Sequence, residues 1–209
     1  MDLNIRDRTF LVFGGTSGIG LAAVQALAAD GASVMVVGRD NARANAAASE
    51  AAALGATAAV AFSCDVAQPG GAGQAVAAAI AAFGHLDGVA ITTGLIGHEP
   101  IEIPDERWME VVSDVLLGTT RVVQAALPHL IERRGTIVTT GAYSIRAPEI
   151  ARLPYASMKA AVAGLHQGHR QGVRQARRAG QLRMSRGDRN CCADCDSGPH
   201  FRAAGDPLR

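Results

Sequence analysis

The stretch FGGTSGIGLAAVQAL, residues 13–27, decides the fold. It follows the short apolar run TFLV and passes directly into apolar residues at helical spacing. It therefore reads as a buried strand over about residues 9–13, a glycine turn, and a helix that stops near Gly31. Gly14, Gly18 and Gly20 form a G-x-x-x-G-x-G pattern at the turn. Glycines there permit a tight reversal and let a phosphate approach both the backbone and the helix N-terminus. An ordinary strand-to-helix turn can carry the same residues. What favours a binding loop is the location, at the first strand-to-helix crossover.

Outward from this turn the alternation repeats. ASVMVVG (32–38) reads as a second strand and NARANAAASEAAALG (41–55) as a helix closed by Gly55. ATAAVAFSCDV (56–66) holds a third strand, GAGQAVAAAIAAFG (71–84) a helix, and LDGVAITTG (86–94) a fourth strand. A long helix follows within 104–135, expected to kink or break before Pro128. TIVTTGA (136–142) reads as the fifth strand, and a helix opens at Tyr155. Continuous apolar strands joined by helices mean a parallel sheet covered on both faces. With right-handed crossovers this is an α/β fold, a Rossmann-type doubly wound parallel sheet. It fills residues 1–165 as a dinucleotide-binding domain.

The chain has 209 residues, 48% of them hydrophobic, and a formal net charge of +1. That suits one domain with a substantial core and gives no bulk electrostatic reason to bind nucleic acid. The N-terminal MDLNIRDRTF lacks the apolar run of a signal peptide, and no apolar stretch is long enough to span a bilayer. A cytoplasmic protein without membrane or nucleic-acid partners is the expectation. Cys64 stands alone and Cys191, Cys192 and Cys195 crowd the tail, so no disulfide framework is indicated. Lys159 is the only lysine, against nineteen arginines. His85, His98 and His129 are scattered without partners at ligand spacing, and no metal site is expected.

On its motifs the chain resembles the short-chain dehydrogenase/reductase family over about residues 5–165. GGTSGIG matches that family's dinucleotide loop, with Phe13 where threonine is usual. The CDV of Cys64–Val66 matches its acidic residue after strand three, which contacts the adenine. ITTG at Ile91–Gly94 stands where the family has N-N-A-G, and YASMK matches its Y-x-x-x-K. The resemblance implies cofactor contacts from Gly14, Thr16, Ser17, Gly18, Ile19, Gly20, Asp65, Val66, Thr92 and Gly94, together with Tyr155 and Lys159. It implies hydride transfer between a nicotinamide cofactor and a small carbonyl compound or secondary alcohol, and possible pairing of two chains through the long helix 105–132.

At the end of strand two an acidic residue would bond the ribose 2′-hydroxyl and select NAD. Here Gly38 is followed by Arg39, which favours the 2′-phosphate of NADP. Asp40 lies close enough to serve the opposite preference, so NAD stays open.

Tyr155 and Lys159 are spaced i and i+4 and share one helix face. A free tyrosine titrates near pH 10. A neighbouring ammonium favours the phenolate, so Tyr155 can exchange a proton with a substrate oxygen as the catalytic acid or base, with Lys159 as its partner. Two of the family's usual partners are missing. Ala142 stands thirteen residues before Tyr155, where the family has a serine, and Val115 stands where a W…N-L-x-G pattern has asparagine. Losing one preorganised donor costs about 2.7–4 kcal/mol of transition-state stabilisation. The alternative to an active oxidoreductase is therefore an impaired nucleotide-binding pseudoenzyme or a truncated non-functional product.

After Leu165 the composition changes. Residues 166–209 carry nine arginines and four aspartates and lack a helical stripe or a strand pattern, whereas residues 1–165 hold eleven basic and fifteen acidic side chains. Removing one base near codon 166 lets synonymous codons read V-N-C-V-C-P-G, the family's own continuation. The tail thus reads as a shifted frame, aberrant and poorly packed, with the fold's last two strands missing. CCADCDSGPH also has the C-x-x-C and later histidine of a zinc knuckle, and the arginines could meet RNA, but ligand spacing and aromatic platforms are both incomplete.

Overall fold

The computed structural model describes residues 4–94, 99–146 and 153–168. The chain divides into two units, Met1–His169 and Arg170–Arg209; every described residue belongs to the first.

Five strands, β1 (Thr9–Phe13), β2 (Ser33–Gly38), β3 (Ala58–Ser63), β4 (Gly88–Ile91) and β5 (Thr136–Thr139), form one sheet. All neighbours are parallel, in the order β3-β2-β1-β4-β5. Every connection is therefore a crossover, supplied by α1 (Gly18–Ala29), α2 (Asn41–Leu54), α3 (Gly71–Phe83), α4 (Asp105–Val111) and α5 (Gly118–Arg133). A sixth helix, α6, covers residues 153–168.

The central strands β1, β2 and β4 are largely apolar because both sheet faces are covered there, and their side chains divide by alternation. Leu11 and Phe13 of β1 join Met35 and Val37 of β2 in one core, closed by α3 and α5 through residues such as Val76, Val122 and Leu130. Val12, Val34 and Val36 point the other way and pack against Val24 and Ala28 of α1 and Ala47 and Ala51 of α2. The alanines that make α2 look featureless let it lie close to the sheet. This is the doubly wound arrangement the sequence implies.

Of the kink or break expected at Pro128, the break is absent. α5 runs through Pro128 to Arg133 without a break. Proline removes one backbone hydrogen bond, while Val122, Val123 and Ala126 before it and Leu130 after it are all buried and hold the helix to the sheet. The irregularity lies upstream, where α4 and α5 are joined by a π-helical turn, Val112–Leu117. The tail reading concerns residues that lie outside the described ones, apart from 166–168. There α6 continues past Leu165, so the change of composition does not itself end the helix.

No helix among the described residues is long and apolar enough to cross a membrane. Among them, too, no three His, Cys, Asp or Glu residues are placed to hold a metal ion. His85 bonds Asp87 at 3.0 Å at the foot of the sheet, and His98 lies outside the described residues.

Candidate functional site

The sheet order reverses at β1, whose neighbours β2 and β4 send their crossovers to opposite faces. At such a switch point the loops beyond the strand ends diverge and leave a crevice. Here the crevice is a cavity of about 510 Å³. Its floor is the glycine turn. The N–H groups of Gly14 and Gly15 both donate to Val37 O, at 2.9 and 3.1 Å, which folds the turn over β2. Gly14 has φ +79°, and a Cβ on Gly20 would lie 2.1 Å from Gly14 O, so α1 starts as close to the strand as backbone allows. Gly18 is different. It has φ +52°, and a Cβ there would meet nothing within 4 Å.

The open space at Gly18 adjoins the first turn of α1, where Ser17 occupies the cap position without bonding a backbone N–H through its side chain. Those N–H groups remain available to an anion, the requirement for a pyrophosphate. Thr16, Ser17 and Ile19 line the same wall, and Ile19 is 72% exposed. A dinucleotide fits this cradle on the structure's own terms.

Other walls come from the ends of β2, β3 and β4. Arg39 lines the cavity, together with Arg43 from the first turn of α2. The Asp40 side chain accepts from Arg43 N at 3.1 Å as the N-cap of α2, so this carboxylate satisfies the helix end. Arg43 Nη2 reaches Thr16 O at 3.5 Å. Asp65 accepts from Ala67 N at 2.9 Å, and Val66 is core-buried, its carbonyl accepting from Arg121 at 3.2 Å. Burial, and secondarily the charge of Asp65, push the neighbouring Cys64 thiol up to about 11, which keeps it neutral at pH 7. Thr92 Oγ1 donates to Phe13 O at 2.8 Å, tying β4 to the glycine turn.

At the far end of the cavity Gly94 has φ +153°, and a Cβ on it would lie 3.3 Å from Lys159 Nζ and 3.6 Å from Tyr155 Cε2. The pair predicted from Y-x-x-x-K thus packs directly behind Gly94. Lys159 Nζ donates to Thr93 O at 3.3 Å and Thr140 O at 3.2 Å, and lies 5.6 Å from the centroid of the Tyr155 ring. Burial pulls the lysine below its ordinary value, with Asp114 opposing.

Ala142 sits before a short 3-10 turn, Tyr143–Ile145, and offers no donor. The buried Ser144 Oγ two residues on has no hydrogen-bond partner among the described residues, nor does Thr93 Oγ1. Val115 is fully buried and carries no polar atom into the cavity.

All eleven predicted cofactor residues outside the Tyr–Lys pair line one cavity. Sequence reasoning missed Arg43, Thr93 and Asp114, which line it too. The Asp40 cap was a readable signal for Arg43, since a helix starting at residue 41 turns position 43 back toward the loop. Asp114 had only its place beside the missing asparagine.

A family model for short chain dehydrogenases matches residues 8–177. The L-fucose dehydrogenase of Rattus norvegicus is 30% identical over 162 residues, 76% of this chain and 57% of the relative. The L-rhamnose 1-dehydrogenase (NAD(P)(+)) of Azotobacter vinelandii is 34% identical over 168 residues, 77% of this chain and 65% of the relative. The chain thus spans little more than half the length of the first of these. Among solved structures, a short-chain type dehydrogenase/reductase from Mycobacterium ulcerans superposes with a TM-score of 0.72 at 32% identity, covering 77% of this chain and 60% of the other. A 7 alpha-hydroxysteroid dehydrogenase complexed with NADH superposes at 0.79 with 23% identity, covering 83% and 68%, a likeness of fold alone.

Proposed function

Because the chain belongs to the short-chain dehydrogenases, we propose that it is an oxidoreductase of a small carbonyl compound or secondary alcohol with a nicotinamide dinucleotide as redox partner. When bound, that cofactor supplies or accepts the hydride. The observation that carries the reading is that one cavity has an open anion cradle at Gly18 and is bounded by Gly94, against which packs a tyrosine with an ammonium 5.6 Å from its ring. Gly14, Thr16, Ser17, Ile19 and Gly20 would hold the pyrophosphate end, Asp65 and Val66 the adenine side, and Thr92, Gly94 and Lys159 the ribose beside the reacting ring. The role of Tyr155 is to exchange a proton with the substrate oxygen, assisted by the positive charge of Lys159.

Cofactor choice follows from Arg39 and Arg43. Two guanidinium groups on the β2–α2 side suit a 2′-phosphate, and Asp40, engaged in capping α2, does not take the place of a ribose-binding carboxylate. NADPH is the proposed cofactor. Calorimetry should show it binding more tightly than NADH, and Arg39→Ala with Arg43→Ala should cut NADPH affinity about tenfold or more while sparing NADH. Equal or reversed affinities in the parent protein would remove both arginines from the argument.

Turnover is tested by NADPH oxidation across a panel of carbonyl compounds and by NADP reduction with alcohols and sugars, among them L-fucose and L-rhamnose, after which two relatives are named. Dinucleotide binding without turnover would instead support an impaired pseudoenzyme, for which Ala142 and buried Val115 are the specific observations. Pairing of two chains through 105–132 belongs to the same reading, since Met109 and Leu117 are exposed there; light scattering after size exclusion measures it.

A further inference from the structure

One wall of the cavity is built by chain that the sheet does not hold. Cys64, Asp65 and Val66 line the cavity, yet β3 ends at Ser63, opposite the last residue of β2. Past that point the backbone carbonyls must find donors outside the sheet. Arg121 of α5 supplies them, its Nη1 donating to Val66 O at 3.2 Å and to Ala67 O at 2.8 Å. Ser113 of the π turn adds a second bond to Ala67 O, at 3.0 Å. Both lone pairs of the Ala67 carbonyl are thereby engaged, and one guanidinium holds two consecutive peptide units. Glycines let the neighbouring helices close on the same segment. A Cβ on Gly118, where α5 begins, would lie 2.9 Å from Val66 Cγ2, and one on Gly71, where α3 begins, 2.6 Å from Asp65 O.

Inside the segment the bonds run on to the carboxylate. The N–H of Ala67 donates to Asp65 Oδ1 at 2.9 Å, and the N–H of Gln68 donates to Asp65 O at 3.1 Å. Ala67 is thus held through its carbonyl by Arg121 and Ser113, and through its amide it holds one oxygen of Asp65. That leaves Oδ2 to accept from a donor in the cavity. Neither Arg121 nor Ser113 lines the cavity, so any effect they have on a ligand passes through this segment. We propose that Arg121 and Ser113 are positioning residues for the adenine end of the dinucleotide site, fixing the wall after β3 and with it the direction of the Asp65 carboxylate. The proposal rests on reading this cavity as a dinucleotide site, and its test does not require turnover. A charge-assisted bond is stronger than a neutral one, so Arg121 carries more of the effect than Ser113.

Each donor can be removed with little change of shape. Arg121→Met keeps an apolar stem, and Ser113→Ala removes one oxygen. The probes are whichever of NADPH and NADH the parent binds more tightly, and its analogue with hypoxanthine in place of adenine, in which the exocyclic amino donor becomes a carbonyl. Calorimetry on the full chain reads both affinities. The parent should prefer the adenine form about tenfold, because the analogue sets a carbonyl oxygen against the Asp65 carboxylate. Arg121→Met should weaken the adenine form about fivefold or more and bring the preference close to unity, and Ser113→Ala should do the same to a smaller extent. A parent indifferent to the base overturns the proposal. So do folded variants that keep the parent's affinities, or that weaken both dinucleotides by one common factor, the mark of a general structural role. If Arg121→Met does not fold, Ser113→Ala decides by the same readout. A parent that binds neither NADPH nor NADH refutes the dinucleotide reading and this proposal with it, whereas binding with an unchanged preference in the variants refutes this proposal alone.

Discussion

Two glycines in one turn do different work, and substitution separates them. A Cβ on Gly20 would stand 2.1 Å from Gly14 O and 2.5 Å from Thr92 Oγ1, so Gly20→Ala must push α1 off the strand. A loss of ~1–3 kcal/mol in chemical unfolding is expected, the ordinary cost of overpacking. Gly18 has free space, so Gly18→Val meets a strained φ but no neighbour. Its side chain instead occupies the anion cradle. Dinucleotide binding should be lost by calorimetry while the protein stays folded by circular dichroism. Lys159 makes a prediction about pH. Its folded value is depressed, chiefly by burial, so the unfolded chain binds more protons and stability from this group rises with pH. Compared with Lys159→Met, the parent protein should gain melting temperature as pH climbs from neutral toward the ordinary lysine range. A constant difference would mean that the ammonium is solvated.

Among the elements, the foot of the sheet depends on one side chain. Asp87, just before β4, accepts from Thr9 N at 3.0 Å, from Arg133 at 3.3 Å, and pairs with His85 at 3.0 Å. It therefore joins the start of β1 to the end of α5. Asp87→Ala leaves the Thr9 amide without that acceptor, and a loss of ~1–3 kcal/mol in chemical unfolding is the expected result. Strand existence was legible because burial on both faces demands continuous apolar runs, and TFLVF and SVMVV have few other uses. Strand ends were not. The runs 56–66 and 86–94 shrink to Ala58–Ser63 and Gly88–Ile91, because past the sheet the chain bonds to itself, as Asp65 does to Ala67 N. The glycine turn was legible because backbone geometry there excludes other residues. The π turn was not, since no residue type marks it, and with it went the direction in which Asp114 points. The absence of a break at Pro128 was not legible either, because it depends on the buried face that holds α5 to the sheet.

At the scale of the whole molecule, the reading of 166–209 as a shifted frame predicts that point repair is insufficient. Ala142→Ser with Val115→Asn should raise turnover only when the continuation V-N-C-V-C-P-G is also restored. A large gain from the two substitutions alone would show that the tail does not limit activity, and resequencing around codon 166 tests the frame itself. Among the described residues β5 has one neighbour, β4, and its Val138 is 58% exposed. An exposed apolar edge invites pairing with other chains, so Val138→Lys should reduce light scattering on concentration without lowering stability. The central position of β1 also bears on how the molecule assembles. On one side it pairs across a single crossover, Thr9 with Ser33; on the other it waits for β4, three crossovers later, where Phe10 meets Gly88. Closing the longer loop costs more entropy before any contact rewards it. The β1–β2–β3 half should therefore order first as the chain leaves the ribosome, and the binding crevice, which needs both halves, is completed only when β4 docks.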